Sequence, residues 1–174
     1  MELNDRVFRI LGLRESERIL IQDFVTMNMQ CVQGKVTSEA LVIPLESTIQ
    51  SYLQRLKQEL DAFIAEQSDM QHEIIVLSDT YSAMLAIRLI QADVSHSPTI
   101  RAAGERASQE FTEVRGRLKQ RHSQWMYFNR SLRVYDHNTI YCFKPMQAFH
   151  WTQRQAILDA GEVIAETLVA EEQS

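Results

Sequence analysis

Leu132-Arg133-Val134-Tyr135, then Asp136-His137-Asn138, then Thr139-Ile140-Tyr141-Cys142-Phe143 read in succession as strand, turn and strand. β-Branched and aromatic residues flank turn formers whose short side chains bond the local backbone, the pattern of an antiparallel hairpin. Pro145 closes it, because proline cannot donate to a continuing ladder. Downstream, Thr152 with Gln155 makes a capping box, and Ala156, Ile157, Val163, Ile164 and Leu168 carry apolar spacing into a terminal helix. Upstream, Phe111, Val114, Leu118, Trp125, Phe128 and Leu132 recur at threes and fours, with Arg121 or His122 filling the missing turn. That spacing predicts one long helix over 105–130.

The same logic extends to the N-terminal half. His72 to Leu77 and Met84 to Gln91 flank the turn-like Ser78 to Ser82 and predict another hairpin, followed by a loop from Ala92 to Ile100 around Pro98. Ile49, Leu53, Leu56, Leu60, Phe63 and Ile64 form an apolar stripe opposite Arg55, Lys57, Gln58 and Asp61, which predicts a helix over 46–66. Leu20, Phe24 and Met27 predict an earlier helix from Ser16 to Met27, with Ser16 as N-cap. Gln30 to Ile43, holding Gly34 and ending at Pro44, reads as a loop with room for a short strand. The expected fold class is α+β: about four helices with two antiparallel β-hairpins, forming a small sheet covered on one face by helices. A single domain over 1–174 is expected, with a division into 1–93 and 94–174 as the alternative.

A chain of 174 residues can bury roughly 70% of the surface its unfolded form exposes. No apolar run approaches the ~20 residues of a membrane span, and Met1 to Arg6 lacks the layout of a signal peptide, so a soluble, cytoplasmic protein is expected. The two cysteines, Cys31 and Cys142, form no close-spaced motif and are expected to be reduced and partly buried. The net charge of −5 conceals segregation along the chain. Residues 1–94 carry 8 basic and 14 acidic side chains, residues 101–155 carry 10 and 4, and residues 156–174 carry five acids and no Lys or Arg. A basic middle therefore lies between acidic ends and could meet phosphate, an acidic partner or the chain's own termini.

Recognisable catalytic patterns are missing. Gly12, Gly34, Gly104, Gly116 and Gly161 are scattered, whereas phosphate-cradling loops need clustered glycines so that backbone N–H groups can approach the anion. His72, His96, His122, His137 and His150 include no pair spaced for zinc on one helical face. A nuclease core would place a second acid two residues before Lys144, where Cys142 stands. Neither a metal nor a cofactor is expected. A site assembled from dispersed residues such as Asp136, His137 and Lys144 is the enzymatic alternative.

The stretch from Arg115 to Arg133 interleaves cations with aromatics. On a helix, Arg115, Lys119 and His122 share one face, with Arg117, Arg121 and Gln124 beside it. Arg115, Arg117, Lys119, Arg121, Arg130, Arg133, Lys144 and Arg154 are thus the candidate contacts for nucleic acid or a partner. The competing structural reading packs the aromatics inward and pairs the arginines with Glu110, Glu113 and the acidic terminal helix.

Ser123 to Asp136, Thr139 to Pro145, and His150 to Asp159 with Ile164-Ala165-Glu166 together carry a resemblance. They resemble the C-terminal region following the catalytic domain in bacterial adenine-specific DNA methyltransferase-like proteins of restriction or phage-defence loci. The likeness continues through Tyr52 and Leu60-Asp61-Ala62-Phe63 and covers 16–172. The resemblance implies a nonenzymatic accessory subunit of a DNA-modification or defence complex. Its partner would be a co-encoded methyltransferase, nuclease or helicase, with DNA as a second contact and no membrane. The alternative is a pure protein-interaction module.

Overall fold

The computed structural model describes residues 2–28, 38–66, 68–78, 80–92, 97–102, 112–113, 116, 132–136 and 138–172. Helices α1 (Glu2–Ile10) and α2 (Glu15–Asp23) come first, and a π-helical turn (Phe24–Asn28) prolongs α2. A short α3 (Ser38–Leu41) and the long α4 (Glu46–Ile64) follow. Strands β1 (Met70–Ser78), β2 (Ser82–Gln91), β3 (Thr99–Ala102), β4 (Leu132–Asp136) and β5 (Thr139–Pro145) build the sheet. A 3-10 turn (Ala148–Trp151) leads into α5 (Gln153–Glu172).

The strands lie in the order β3-β1-β2-β5-β4. Neighbours are antiparallel except β1 and β3, which run parallel. The sequence reading of 92–100 as loop is thus corrected at its end, since Thr99 and Ile100 open β3 opposite Ile75 and Val76. A four-residue strand is too short to show alternation. Pro98 stands just before it, where its missing N–H costs no ladder bond.

Side chains on a strand alternate between faces, so the register decides what meets what. Val76, Leu85 and Cys142 stand in one cross-strand row, with Ile74, Ile87 and Ile140 in the next. These rows pack against Ile49, Leu53, Leu56 and Leu60 of α4 and Ala156, Ala160 and Val163 of α5. Ala156 and Ala160 are one turn apart, and their small side chains allow the two helices close approach. On the opposite face Ile75, Leu77, Met84 and Phe143 are also buried, with Val134 and Tyr141 against them. Helices α4 and α5 thus cover one face of the sheet, as expected, and a smaller apolar cluster is buried on the other. Of the helix predicted over 105–130, only Thr112, Glu113 and Gly116 are described, and they are helical. The rest of that reading lies outside the described residues, as does Cys31.

The N-terminal reading also changes. Helix α1 was not anticipated, and α2 begins one residue before Ser16, with Arg14 as N-cap. Glu17 closes that end by accepting the Arg14 backbone N–H at 2.7 Å. The stripe expected to bury Phe24 leaves it exposed. The C-terminal cap forms where the sequence places it, with the Gln155 backbone N–H donating to Thr152 Oγ1 at 3.1 Å. A carboxylate from across the fold joins it: Asp23, at the end of α2, accepts the Arg154 backbone N–H at 2.9 Å. Negative charge is favoured at a helix N-terminus, so this contact docks α2 on α5 electrostatically as well as by packing.

Candidate functional site

Helix α5 presents Gln155, Asp159, Glu162 and Glu166 at spacings of three and four, so one face of the helix carries a polar row. The sheet register sets Cys142 opposite Arg133, and alternation then places Lys144 on the same side of β5 and Tyr135 on the same side of β4. Bringing these two surfaces together creates a polar cluster with a buried inner half and an exposed outer half.

In the inner half, Lys144 donates to Asp159 Oδ2 at 2.5 Å and the Tyr52 hydroxyl donates to the same oxygen at 2.6 Å. The Gln155 side-chain amide donates to Asp159 Oδ1 at 2.7 Å. The Lys144 and Asp159 side chains are 1% and 10% exposed. The ammonium also lies 4.0 Å from the centroid of the Tyr52 ring and 5.3 Å from that of Trp151, so aromatic faces supply part of what water would have given it. Burial depresses the Lys144 pKa, against the pull of Asp159. Burial and the neighbouring Asp159 together push the Tyr52 phenol well above its ordinary value, so it stays a donor. The Cys142 thiol is pushed up to about 12, first by burial and then by Asp159. It is therefore a packed thiol and not a nucleophile.

In the outer half, Arg133 contacts Glu162 at 2.6 Å and Glu166 at 2.8 Å, and the Tyr135 hydroxyl donates to Glu166. Burial works against the arginine's charge, but the two carboxylates more than offset it and hold its pKa above the ordinary value. Burial likewise works against the Glu166 charge, and hydrogen bonds from Arg133 and Tyr135 reverse the balance and hold its carboxyl below the ordinary value.

Three of the sequence-derived contacts can therefore be placed. Lys144 lies inside the fold, Arg133 is tied to α5, and Arg154 is half-buried on the first turn of that helix. Arg115, Arg117, Lys119, Arg121 and Arg130 lie outside the described residues. The dispersed trio Asp136, His137 and Lys144 is not assembled. Asp136 pairs with Thr139 at one end of the hairpin, and Lys144 lies five residues farther along β5, about 17 Å away in an extended strand. His137 lies outside the described residues. Among the described residues, no group of three or more His, Cys, Asp or Glu is placed to hold a metal ion. No helix among them is long and apolar enough to cross a membrane.

Sequence reasoning missed Tyr52, Asp159 and Tyr135 as members of the cluster. The segregated charge was a usable signal for the outer half, since a basic middle and an acidic end invite pairing such as Arg133 with Glu162 and Glu166. Comparison with protein-family models, with curated proteins and with solved structures finds no match for this chain.

A second polar cluster joins α4 to β1. Asp61 Oδ1 accepts the His72 backbone N–H at 2.7 Å and faces its Nδ1 at 2.9 Å, while Lys57 donates to Asp61 Oδ2 at 2.7 Å. Burial lowers the His72 pKa despite Asp61, so the ring is neutral and its Nδ1–H is the donor. Burial alone would raise the Asp61 carboxyl, but hydrogen bonds from Lys57 and His72 hold it below the ordinary value. Both shifts have the same sign for stability. A group whose pKa is depressed on folding contributes fully above its unfolded pKa, and the contribution is lost as pH falls. Thermal unfolding is therefore expected to shift to lower temperature between roughly pH 7 and 5, where a histidine near 6.5 titrates in the unfolded chain. His72→Phe should flatten that slope, and a midpoint that rises on acidification would show that His72 is charged in the fold.

Proposed function

We propose that this chain is a nonenzymatic accessory subunit of a bacterial DNA methyltransferase or restriction-like phage-defence complex, with docking to a co-encoded catalytic partner as its main task. The observation carrying this reading is an apolar ledge on the described surface. Ala40 and Pro44 are buried and anchor the segment, and the Ala148 backbone N–H donates to the Val42 carbonyl at 2.9 Å. Leu41, Val42, Ile43 and Leu45 are nevertheless exposed, as is Phe149 on the adjoining 3-10 turn. Contiguous exposed apolar side chains on a fixed backbone mark interaction sites more often than scattered ones do. The DNA-directed context is supported by the resemblance of 16–172 and by the basic segment. With Lys144 and Arg133 occupied internally, phosphate contact falls to Arg115, Arg117, Lys119, Arg121, Arg130 and Arg154.

The two contributions separate experimentally. Val42→Glu with Ile43→Glu is expected to weaken capture of the co-encoded subunit at least ~10-fold, since each would bury an unpaired charge. Fluorescence anisotropy on duplex DNA at two salt concentrations reads the other arm, because affinity resting on phosphate contacts falls steeply with salt. Changing Arg115, Lys119 and Arg121 to Glu should abolish that affinity. Salt-independent or absent DNA binding, with partner capture intact, would reduce the protein to a protein-interaction module. Unaltered capture by the Val42 and Ile43 variant would remove the ledge from the interface.

A further inference from the structure

Lys144 and Asp159 meet where water is scarce, and Nζ stands 2.5 Å from Oδ2. Adding one carbon–oxygen bond puts Nζ within about 3.7 Å of Cγ, close to the roughly 3–3.5 Å of a near-attack geometry. An amine and a carboxyl condense poorly in water, because both are charged there and the free amine is rare. Burial works on both obstacles. It penalises each ion, and it depresses the Lys144 pKa toward the neutral, nucleophilic amine. Packing of α5 on the sheet then replaces a bimolecular encounter with fixed proximity.

The carboxyl is equipped as an electrophile. The Gln155 side-chain amide donates to Oδ1 at 2.7 Å, the oxygen on which negative charge gathers when Cγ is attacked. The Tyr52 hydroxyl donates to Oδ2 at 2.6 Å, the oxygen that has to leave. Burial and the neighbouring Asp159 keep that phenol protonated. The Tyr52 and Trp151 rings wall the amine at 4.0 and 5.3 Å, where water would otherwise solvate the ammonium.

We propose that Lys144 and Asp159 condense within the folded protein to an intramolecular isopeptide bond, assisted by Gln155 and Tyr52. The ammonium passes one proton to Oδ2, the neutral Nζ attacks Cγ, and the tetrahedral intermediate carries its negative charge on Oδ1 beside Gln155. Nζ then gives a second proton to the departing Oδ2, relayed by the Tyr52 hydroxyl. The Nζ–Cγ bond forms, the Cγ–Oδ2 bond breaks and Oδ2 leaves as one water. The ion pair is the state before this step, and the product is a neutral secondary amide that needs no co-reactant. It stitches β5 to α5 across 15 positions of the chain and is independent of the proposed DNA-directed role.

Mass spectrometry of the intact full chain, held folded at neutral pH and then denatured, is expected to show a species one water lighter than the sequence. Its fraction should rise with time after synthesis. Cleavage after Arg133 and Arg154 should yield peptides 134–154 and 155–174 joined to each other, with fragmentation placing the bond at Lys144 and Asp159. Lys144→Met and Asp159→Leu should each keep their full mass. Tyr52→Phe, which retains the pair and the ring, should condense at least ~10-fold more slowly for want of the proton donor. The wild-type mass decides the matter even if a variant fails to fold. A wild type that stays at its sequence mass however long it is held folded, or a water loss that maps to other residues or persists in Lys144→Met, would overturn the proposal. Condensation of Tyr52→Phe at the wild-type rate would overturn the part given to the phenol.

Discussion

Asp159→Ala is expected to destabilise the protein by about 3–5 kcal/mol, because it leaves the Lys144 ammonium buried without its counter-ion. The loss is expected to exceed that of an exposed ion pair, typically ~1 kcal/mol or less, since nearly all of the lysine is out of water. Denaturant unfolding at neutral pH reads it directly. A second signature separates a stranded charge from a simple cavity. With Asp159 gone, the folded state favours neutral Lys144 more strongly, so the unfolded chain binds the extra proton and stability rises with pH toward ~10. Replacing the charges and the phenol together, as Lys144→Met, Asp159→Leu and Tyr52→Phe, should restore much of the loss, since apolar groups of similar volume often equal a buried ion pair. An Asp159→Ala variant that loses less than ~1 kcal/mol and shows no alkaline recovery would mean that Lys144 reaches solvent.

Trp151→Ala is the other large effect, expected at about 3–5 kcal/mol. The indole is fully buried, its N–H donates to the Pro145 carbonyl at 2.9 Å, and its ring meets Tyr52 edge-on with centroids 5.2 Å apart. It fills the corner where the 3-10 turn joins α4 and α5. Truncation would remove the aromatic wall beside Lys144 as well as the packing, so the variant should also weaken the ion pair. Trp151→Phe keeps a ring but strands the carbonyl of Pro145, and its cost should fall between wild type and Ala. A double-mutant cycle with Lys144→Met measures the coupling, which is expected to be nonzero because the two side chains touch. Strict additivity would make Trp151 a packing residue alone.

Several elements are legible because their signals are local. The 132–143 hairpin, the 46–64 stripe and the Thr152 cap each depend on residues within a few turns or one strand pair of each other. Helix α1 was not legible, because Phe8 alone of its described side chains is buried and an amphipathic pattern without a core to face looks like surface. The basic residues show the limit most clearly. Composition reveals that the middle of the chain is positive, yet it cannot say that Lys144 points at α5 while the basic run precedes β4. Strand alternation and register make that choice.

The sequence by itself determined the α+β class, the placement of α4, the strand pairs β1–β2 and β4–β5 and the cap that starts α5, through periodicities of two and 3.6 and local capping chemistry. Tertiary structure alone decided that Tyr52 meets Asp159 across 107 positions, that β3 joins β1 in parallel, and that Asp23 caps α5. Those contacts have no period to read. They exist because packing α4 and α5 on one sheet face brings a phenol, an ammonium and a carboxylate to the same buried point, where each is satisfied only by the others.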